Sequence, residues 1–403
     1  DFRYYRNGTF RNEESISSEG KNRASLSNQS DFSWTLDNLI YYDKEFGKHS
    51  VGLTLLQSAT GYHYEESSMA AEGIPLESAK WNALSKENVS LLDEWNSGLI
   101  EKQLLSYMFR VNYDYNNKYL LTVSGRWDGA SQLAEGNKWA FFPSAALGWR
   151  LDQEEFLKDV TWLNQLKFRL GVGVTGNSAI DPYQTKGAIV SLYYPFGSAL
   201  APGYAASEPL IKDGAVAMAN KNLSWEKTTQ YNIGLDYSVL NGRISGVLDF
   251  YTSRTTDLLM AMTIPSLNGY TNTYAYVGKT YNIGVDITLN TVNVKTRDFE
   301  WSTSINAAWQ KDKIDELANG KEDDINNNWF IGQALGVIYG YECGGLWKEE
   351  DAAEMAKFNA KGHSFQAGMV RPIDQNGDYK IDPNDDRVII GHTRPRWTFG
   401  MTN

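Results

Sequence analysis

Long two-residue alternation is the feature that most restricts what this chain can fold into. Between Leu104 and Gly129, the residues Leu105, Tyr107, Phe109, Val111, Tyr113 and Tyr115 fall on one side of an extended strand. Ser106, Met108, Arg110, Asn112 and Asp114 fall on the other. The pattern recurs. Tyr119, Leu121, Val123, Gly125 and Trp127 oppose Leu120, Thr122, Ser124, Arg126 and Asp128. Further runs occupy Leu166–Thr175, Tyr231–Val239, Tyr281–Asn290 and Phe299–Gln310. Each is about ten residues or longer, whereas strands of globular proteins average ~5–6. A tilted strand needs about ten to cross a bilayer. The apolar faces must therefore meet either a second sheet or lipid.

The connections separate these alternatives. Strands are expected near 31–45, 49–66, 101–115, 118–129, 138–152, 164–176, 227–240, 243–259, 279–293, 299–312, 331–343 and 396–403. The joins after the first, third, seventh and ninth are short: "KEFGK", "NNK", "LNG" and "VKTRD". The fifth, "QEEFLKDVTWLN", is moderate and has room for a short helix. The even-numbered joins, among them 67–100, 177–226 and 313–330, are mostly long. Up-and-down strands put alternate joins on opposite ends, and short turns at one end with long loops at the other is the habit of outer-membrane barrels. A β-sandwich has no reason to segregate them. Tyr113, Tyr115, Tyr119, Trp127, Trp139, Trp149, Trp301 and Trp309 lie near strand ends, as interfacial girdles do. The expected fold is all-β, a transmembrane antiparallel up-and-down barrel with about twelve strands in this chain. No propeller-type repeat of about 40 residues is evident.

Composition agrees and excludes other classes. Aromatic residues make up 13% of the 403, alongside 35 glycines, a mixture suited to pleated sheet with turns. A formal net charge of -11 argues against nucleic acid as a partner. One cysteine, Cys343, permits no internal disulfide framework. The opening "DFRYYRNGTF" has no secretory signal pattern, and no stretch reaches the roughly 18 continuous apolar residues of a membrane helix.

Several segments are more specific than periodicity. "YLLTVSGRWDGAS", "NKWAFFPSAALGWRLDQEEFLKD" and "LNQLKFRLGVGVTGNSAIDPYQ" follow one another, then "NKNLSWEKTTQYNIGLDYSVLNGRISGVLDFYTSRTTDLL", "GQALGVIYGYECGGLWKEEDA" and "IDQNGDYKIDPNDDRVIIGHTRPRWTFG"; "GKH" stands at Gly47–His49. In order and spacing these blocks resemble the SusC/RagA family of TonB-dependent outer-membrane transporters over most of residues 30–403. The resemblance implies a barrel of the plugged class, with roughly 22 strands, in a bacterial outer membrane. It implies a SusD-like lipoprotein partner as lid, a TonB complex as energy source, and oligosaccharide or peptide cargo. It also implies a dimer of transporter–lid pairs. Residues 1–403 are then part of one barrel domain. The family's plug, TonB-contacting box and final strands have no counterpart in these blocks, so the chain is expected to be a middle-to-late barrel segment. Two bare edges in lipid would leave backbone groups unpaired, and other strands are expected to complete the wall.

Candidate site residues follow. "DQNGDYKIDPNDD" places Asp374, Asn376, Asp378, the Lys380 carbonyl, Asp382 and Asp385 at positions 1, 3, 5, 7, 9 and 12 of a calcium-type loop within an extracellular loop (367–392). Tyr379 stands where such loops turn on glycine, and Asp385 replaces the usual Glu. The alternative is an acidic turn held by Asx hydrogen bonds. A structural Ca2+ is the one cofactor expected here, and none is required. Arg110, Arg126, Lys167, Arg169 and Asp128, on the polar face, are candidates for contact with cargo or with a plug. Tyr193, Tyr194 and Phe196, with Tyr270 and Tyr274, are loop aromatics able to stack on sugar rings or pack on a lid. "GVGVTG" (Gly171, Gly173, Gly176) lacks the helix a dinucleotide fingerprint requires and reads as a glycine row on a strand. No HExxH, GxSxG, Walker or CxxC motif occurs, and His49, His63, His363 and His392 are scattered. The chain is expected not to be an enzyme. The competing readings are a secreted β-rich glycan-binding or glycan-cleaving protein and a simple diffusion porin.

Overall fold

The computed structural model describes residues 1–16, 20–74, 76–84, 91–185, 188–196, 199–208, 217–263, 272–318 and 320–403. Its main element is a 13-stranded sheet. The strands are β1 (Phe2–Arg11), β2 (Arg23–Phe46), β3 (His49–Glu72), β4 (Leu91–Tyr115), β5 (Tyr119–Ala130), β6 (Trp139–Arg150) and β7 (Leu163–Asn177). After a separate hairpin of β8 (Ala188–Phe196) and β9 (Ala199–Glu208) come β10 (Ala217–Met218), β11 (Glu226–Val239), β12 (Ile244–Thr263), β13 (Asn272–Lys295) and β14 (Glu300–Leu317). The strand order is β1-β2-β3-β4-β5-β6-β7-β11-β12-β13-β14, closing on β19 (Trp397–Thr402), with β10 parallel beside β13. The other described registers in the wall are antiparallel, and the strand order makes most chain neighbours sheet neighbours.

The short turns form because their residues accept left-handed backbone. Asn116 and Asn117 have φ of 58° and 55°, the two positive angles of a type I′ hairpin turn, whose twist matches the strands it joins. Asp114 Oδ1 accepts the Asn117 N–H at 2.6 Å and closes the turn. Asn241 (φ 56°) and Gly242 (φ 78°) do the same between β11 and β12, with the Arg243 N–H donating to the Leu240 carbonyl at 3.3 Å. The moderate join after β6 holds two single 3-10 turns, Leu151–Gln153 and Glu155–Leu157, rather than a helix of several turns.

Contacts cluster into two units. The first comprises Asp1–Leu147, Gly173–Lys227 and Thr263–Ala275. Here the β2–β3 ladder pairs every residue from Arg23↔Glu72 to Phe46↔His49, and β4 continues it from Glu72↔Leu91 to His49↔Tyr115. The strands run well past the expected bounds of 31–45, 49–66 and 101–115, and β1 adds one that was not expected. A small apolar cluster of Ala24, Ala71 and Ile74 sits at the long-loop end, covered by Phe10, Trp81 and Leu84.

The second unit comprises Gly148–Val172, Thr228–Met262 and Tyr276–Asn403. One expected strand is corrected here. Residues 331–343 do not join the wall; β15 (Val337–Tyr341) instead pairs with β18 (Arg387–His392) in a two-stranded sheet of its own. With β16 (Cys343–Leu346), β17 (Val370–Pro372) and the helix α1 (Ala352–Ala360), it makes a compact loop structure between β14 and β19. Its core is Trp347, Met355 and Phe358, packed by Phe365, Tyr379 and Ile381. Arg371 lies 4.7 Å over the Trp347 ring and holds both oxygens of Glu354 at 2.9 Å. A strand in the wall needs neighbours on both sides along its length; five residues carrying their own partner and core are satisfied without it. Among the described residues no helix is long and apolar enough to cross a membrane, which says nothing of strands.

Candidate functional site

The two faces of the wall differ in chemistry, and the sequence dictates the difference residue by residue. On the apolar face of the first unit, an aromatic group gathers at the short-turn end. Phe46 stacks on His49 at 5.2 Å, His49 meets Tyr115 at 4.9 Å, and Tyr115 stacks on Tyr119 at 6.4 Å. His49 Nδ1 shares a 2.8 Å hydrogen bond with the Tyr113 hydroxyl. A second group stands eight residues up the strands: Tyr107 stacks on Trp139 at 6.3 Å, and Trp127 meets Phe141 at 4.2 Å. Glycine makes room for this second group. A Cβ on Gly125 would lie 2.7 Å from the rings of Phe109 and Phe141, and one on Gly129 would lie 2.6 Å from Trp139. Eight residues span about 26 Å along a strand, or roughly 20 Å of height at ~40° tilt, close to the ~25 Å apolar band of a membrane barrel. The residues between, such as Val111 and Val123, are apolar and directly paired. The second unit repeats the arrangement, with Phe299 and Trp301 at the short-turn end and Trp309, Trp397 and Phe399 above.

The opposite face is a hydrogen-bonded polar ladder. Thr122 donates to Asn112 at 3.0 Å, and the Ser124 and Ser144 hydroxyls meet at 2.6 Å. Arg126 places Nε 2.6 Å from Asp128 Oδ1 and donates through Nη2 to Ser106 at 2.9 Å. Of the charged residues expected there, Arg126 and Asp128 thus neutralise one another, while Arg110 is exposed. In the second unit, Arg169 stands between two carboxylates, donating from Nε to Asp236 at 2.9 Å and from Nη2 to Asp249 at 3.1 Å. Gly234 is the cradle: a Cβ there would lie 2.6 Å from the guanidinium. Sequence reasoning placed Arg169 on this face but missed Asp249, because alternation gives the face of a residue and not its neighbour across strands. The glycines of "GVGVTG" lie on β7, and among the described residues no helix follows it before β11.

Beyond the upper rings the strands continue with polar residues on both faces. His63, directly paired with Glu101, lies between that carboxylate at 3.0 Å and Glu65 at 3.1 Å. Hydrogen bonding to Glu101 first, and to Glu65 next, raises its pKa above the ordinary imidazole value. A cavity of about 570 Å³ opens at this level, lined by Glu101, Lys102, Gln132, Lys138 and Tyr183 among others.

The loop aromatics are spread. Tyr193, Tyr194 and Phe196 lie on β8, where the backbone alone is described; Tyr270 lies outside the described residues. Tyr274 is half-buried on β13, and its carbonyl accepts from Asn220 Nδ2 at 2.8 Å.

The 374–385 loop is closed by its own side chains. Asp374 accepts the Gly377 and Tyr379 amides, each at 2.7 Å, Asn376 accepts from Asp378, and Asp378 accepts from Lys380. Asp382 holds Lys380 Nζ at 2.9 Å and accepts the amides of Asn384 and Asp385. These bonds, the one to Lys380 foremost, keep its carboxyl below the usual carboxylate range. Asp386, fully buried and not anticipated, ties the loop ends by accepting from Gln375 and Asp382. Among the described residues no three His, Cys, Asp or Glu side chains converge as a metal ion needs. As it stands, the loop satisfies its carboxylates with its own amides and with Lys380.

Comparison with known proteins agrees with this geometry. Residues 1–388 match the family described as TonB dependent receptor-like, beta-barrel. TonB-dependent receptor P3 of Formosa agariphila (strain DSM 15362 / KCTC 12365 / LMG 23005 / KMM 3901 / M-2Alg 35-1) is 31% identical over 91% of this chain and 36% of its own length. TonB-dependent receptor SusC of Bacteroides thetaiotaomicron (strain ATCC 29148 / DSM 2079 / JCM 5827 / CCUG 10774 / NCTC 10582 / VPI-5482 / E50) is 38% identical over 60% of this chain and 24% of its own. A solved structure of the RagAB peptide importer in the 'open-open' state superposes with a TM-score of 0.81 at 22% identity, over 99% of this chain and 42% of that one. The chain therefore spans well under half the length of these relatives. It belongs to the TonB-dependent receptor-like β-barrel family.

Proposed function

We propose that this chain supplies wall strands of an energised outer-membrane importer for oligomeric nutrients, glycans or peptides. The observation that carries the reading is the pairing of an aromatic-banded apolar face with a hydrogen-bonded polar face, in strands whose loops are long at one end only. The band seats the wall in lipid, where every strand must be paired. The polar face lines a hydrated lumen. Arg126 and Arg169 are compensated in place by carboxylates, so there cargo or a plug meets hydrogen-bonding groups rather than bare ions. The partners in this reading are a SusD-like lipoprotein on the long-loop side and a TonB complex on the other, with transporter–lid pairs associating as a dimer. Its support is the family membership together with the similarity to SusC and, in fold, to RagAB.

The test is uptake of an oligomeric nutrient by cells expressing the full-length transporter, with and without a functional TonB complex. Uptake abolished with TonB inactivated is the expected result. Equal uptake in both strains would make it a diffusion porin. Recovery of the protein in the soluble fraction, with no heat-dependent shift in gel migration, would refute the membrane reading altogether.

Structural Ca2+ at Asp374, Asn376, Asp378, Lys380, Asp382 and Asp385 is a separate proposal, supported by ligand spacing alone. Binding would require these side chains to turn from the loop amides toward the ion. Terbium luminescence sensitised through Tyr379, lost in Asp374→Ala, is the expected signal; no terbium signal in the intact protein would end the proposal.

A further inference from the structure

Several arginines on the described surface of this acidic protein are matched to carboxylates. Arg126 faces Asp128, Arg169 faces Asp236 and Asp249, Arg254 faces Asp315, and Arg371 faces Glu354. One cavity gathers basic side chains without such partners. It lies within the second unit, at the long-loop ends of β12, β13 and β14, and encloses about 410 Å³. That volume falls in the range of small-ligand pockets, about 300–1,000 Å³. Lys311, Arg394 and Arg396 line it, and among the described residues none of the three is within ion-pair distance of a carboxylate. The one acid in its lining, Asp312, already accepts the Leu335 amide at 3.2 Å.

The cationic segment is held in place before any ligand arrives. The Arg396 carbonyl accepts the Gln310 N–H at 2.9 Å, which ties the residues before β19 to β14. Thr393 donates its N–H to the Gly336 carbonyl at 2.9 Å and its hydroxyl to the same oxygen at 3.1 Å. Arg396 Nη2 donates to His392 Nε2 at 2.8 Å, which orients its guanidinium with other N–H groups still available. Arg394 and Arg396 bring two positive charges to one short segment of the lining, an arrangement that an arriving anion relieves. Guanidinium groups match a carboxylate in plane and can bind it through two parallel hydrogen bonds. The rest of the lining is rich in side-chain amide and hydroxyl groups, from Asn282, Gln310, Thr280 and Thr393. Such groups serve the hydroxyls of a sugar ring better than the apolar side chains of a peptide.

We propose that this cavity is a recognition subsite for the carboxylate of a uronic-acid residue in an oligosaccharide cargo, with Arg394 and Arg396 as its anion-binding pair. The proposal rests on the importer reading above and deepens it by naming the charge and class of the cargo.

The test uses the full-length transporter in detergent and three probes: tetragalacturonate, its methyl ester, which keeps the ring and removes the charge, and a tetraglutamate peptide. Calorimetric titration is expected to show the acid binding about tenfold or more tighter than the ester, the worth of one charge-assisted contact. The preference should weaken as salt is raised, since exposed charges are screened. The double variant Arg394→Gln/Arg396→Gln should bring acid and ester to the same affinity, with heat-modifiable migration unchanged. Lys311→Gln should weaken the acid alone, by a smaller factor. Equal binding of acid and ester by the native protein, an acid preference that survives the double variant, or binding of the peptide without the uronate would each overturn the proposal. Uptake that depends on TonB while acid and ester bind equally would sink this inference and leave the importer reading standing. Uptake independent of TonB would strike the importer reading instead.

Discussion

Val111 is the position at which the assignment of faces can be tested most sharply. It lies on the apolar face of β4, four residues from Tyr107 and four from Tyr115, and is paired directly with Val123. Four residues correspond to about 10 Å of height on a tilted strand, so Val111 sits near the middle of the apolar band. Arginine there meets hydrocarbon, at a cost of about 2–4 kcal/mol; at the band's edge the cost falls to about 0–1 kcal/mol. Val111→Arg should therefore shift the folded-to-unfolded ratio in lipid by roughly 30- to 900-fold, at about 1.36 kcal/mol per tenfold. Tyr115→Arg, at the lower ring, should shift it far less. Asn112→Arg, one residue along on the polar face, should cost about 1 kcal/mol through the lost Thr122 hydrogen bond. The assay is the fraction of full-length protein that folds into lipid vesicles, read from heat-modifiable migration across a urea series. Equal damage at Val111 and Asn112, or greater damage at Asn112, would refute the assignment of lipid to the odd-numbered face of β4.

Three further outcomes are expected. Arg169→Met leaves Asp236 and Asp249 facing each other without their cation. Because these side chains are 29%, 23% and 21% exposed, the loss should be about 1–3 kcal/mol rather than the full penalty of a buried charge, with Asp236→Asn/Asp249→Asn restoring most of the thermal midpoint. Gly125→Ala puts a methyl group into the rings of Phe109 and Phe141 and should cost about 1–3 kcal/mol by overpacking; an unchanged midpoint would show that the rings move aside freely. Asp382 is held below its unfolded value of 3.8, so its share of loop stability is present above that value and is lost as pH falls through the lower folded one. Hydrogen exchange of the 374–386 amides should accelerate in that acid window, and Lys380→Met should move the acceleration toward the unfolded value.

Strand wall, polarity of the loops and absence of an enzymatic motif were all legible in the residues, because period two and turn chemistry are local. Two errors have physical causes. Strand β1 was missed because Arg6 and Gly8 interrupt the face carrying Phe2, Tyr4 and Phe10. At that height the strands have passed the upper aromatic ring, both faces meet polar surroundings, and nothing enforces alternation. The same fading hid the first half of β4 and the last part of β3. The opposite error, at 331–343, arose because alternation reports that a segment is extended without naming the sheet it joins. Val337–Tyr341 alternates well enough, and its partner Arg387–His392 lies far along the chain.

What the sequence determined by itself was therefore the class of surface at each residue: apolar or polar, extended or turning, ringed by aromatics or not. A side chain's chemistry and its parity along a strand are enough for that, since neighbouring strands follow one another in the chain. Only the tertiary structure decided which charges meet. Arg126 found Asp128 two residues away, but Arg169 found Asp236 and Asp249 on strands much later in the sequence. Arg394 and Arg396 were left without a carboxylate in a cavity whose other walls come from β12, β13 and β14. Those outcomes depend on register and on how a long loop folds back over strand ends, and both are set by packing between distant segments rather than by any local pattern.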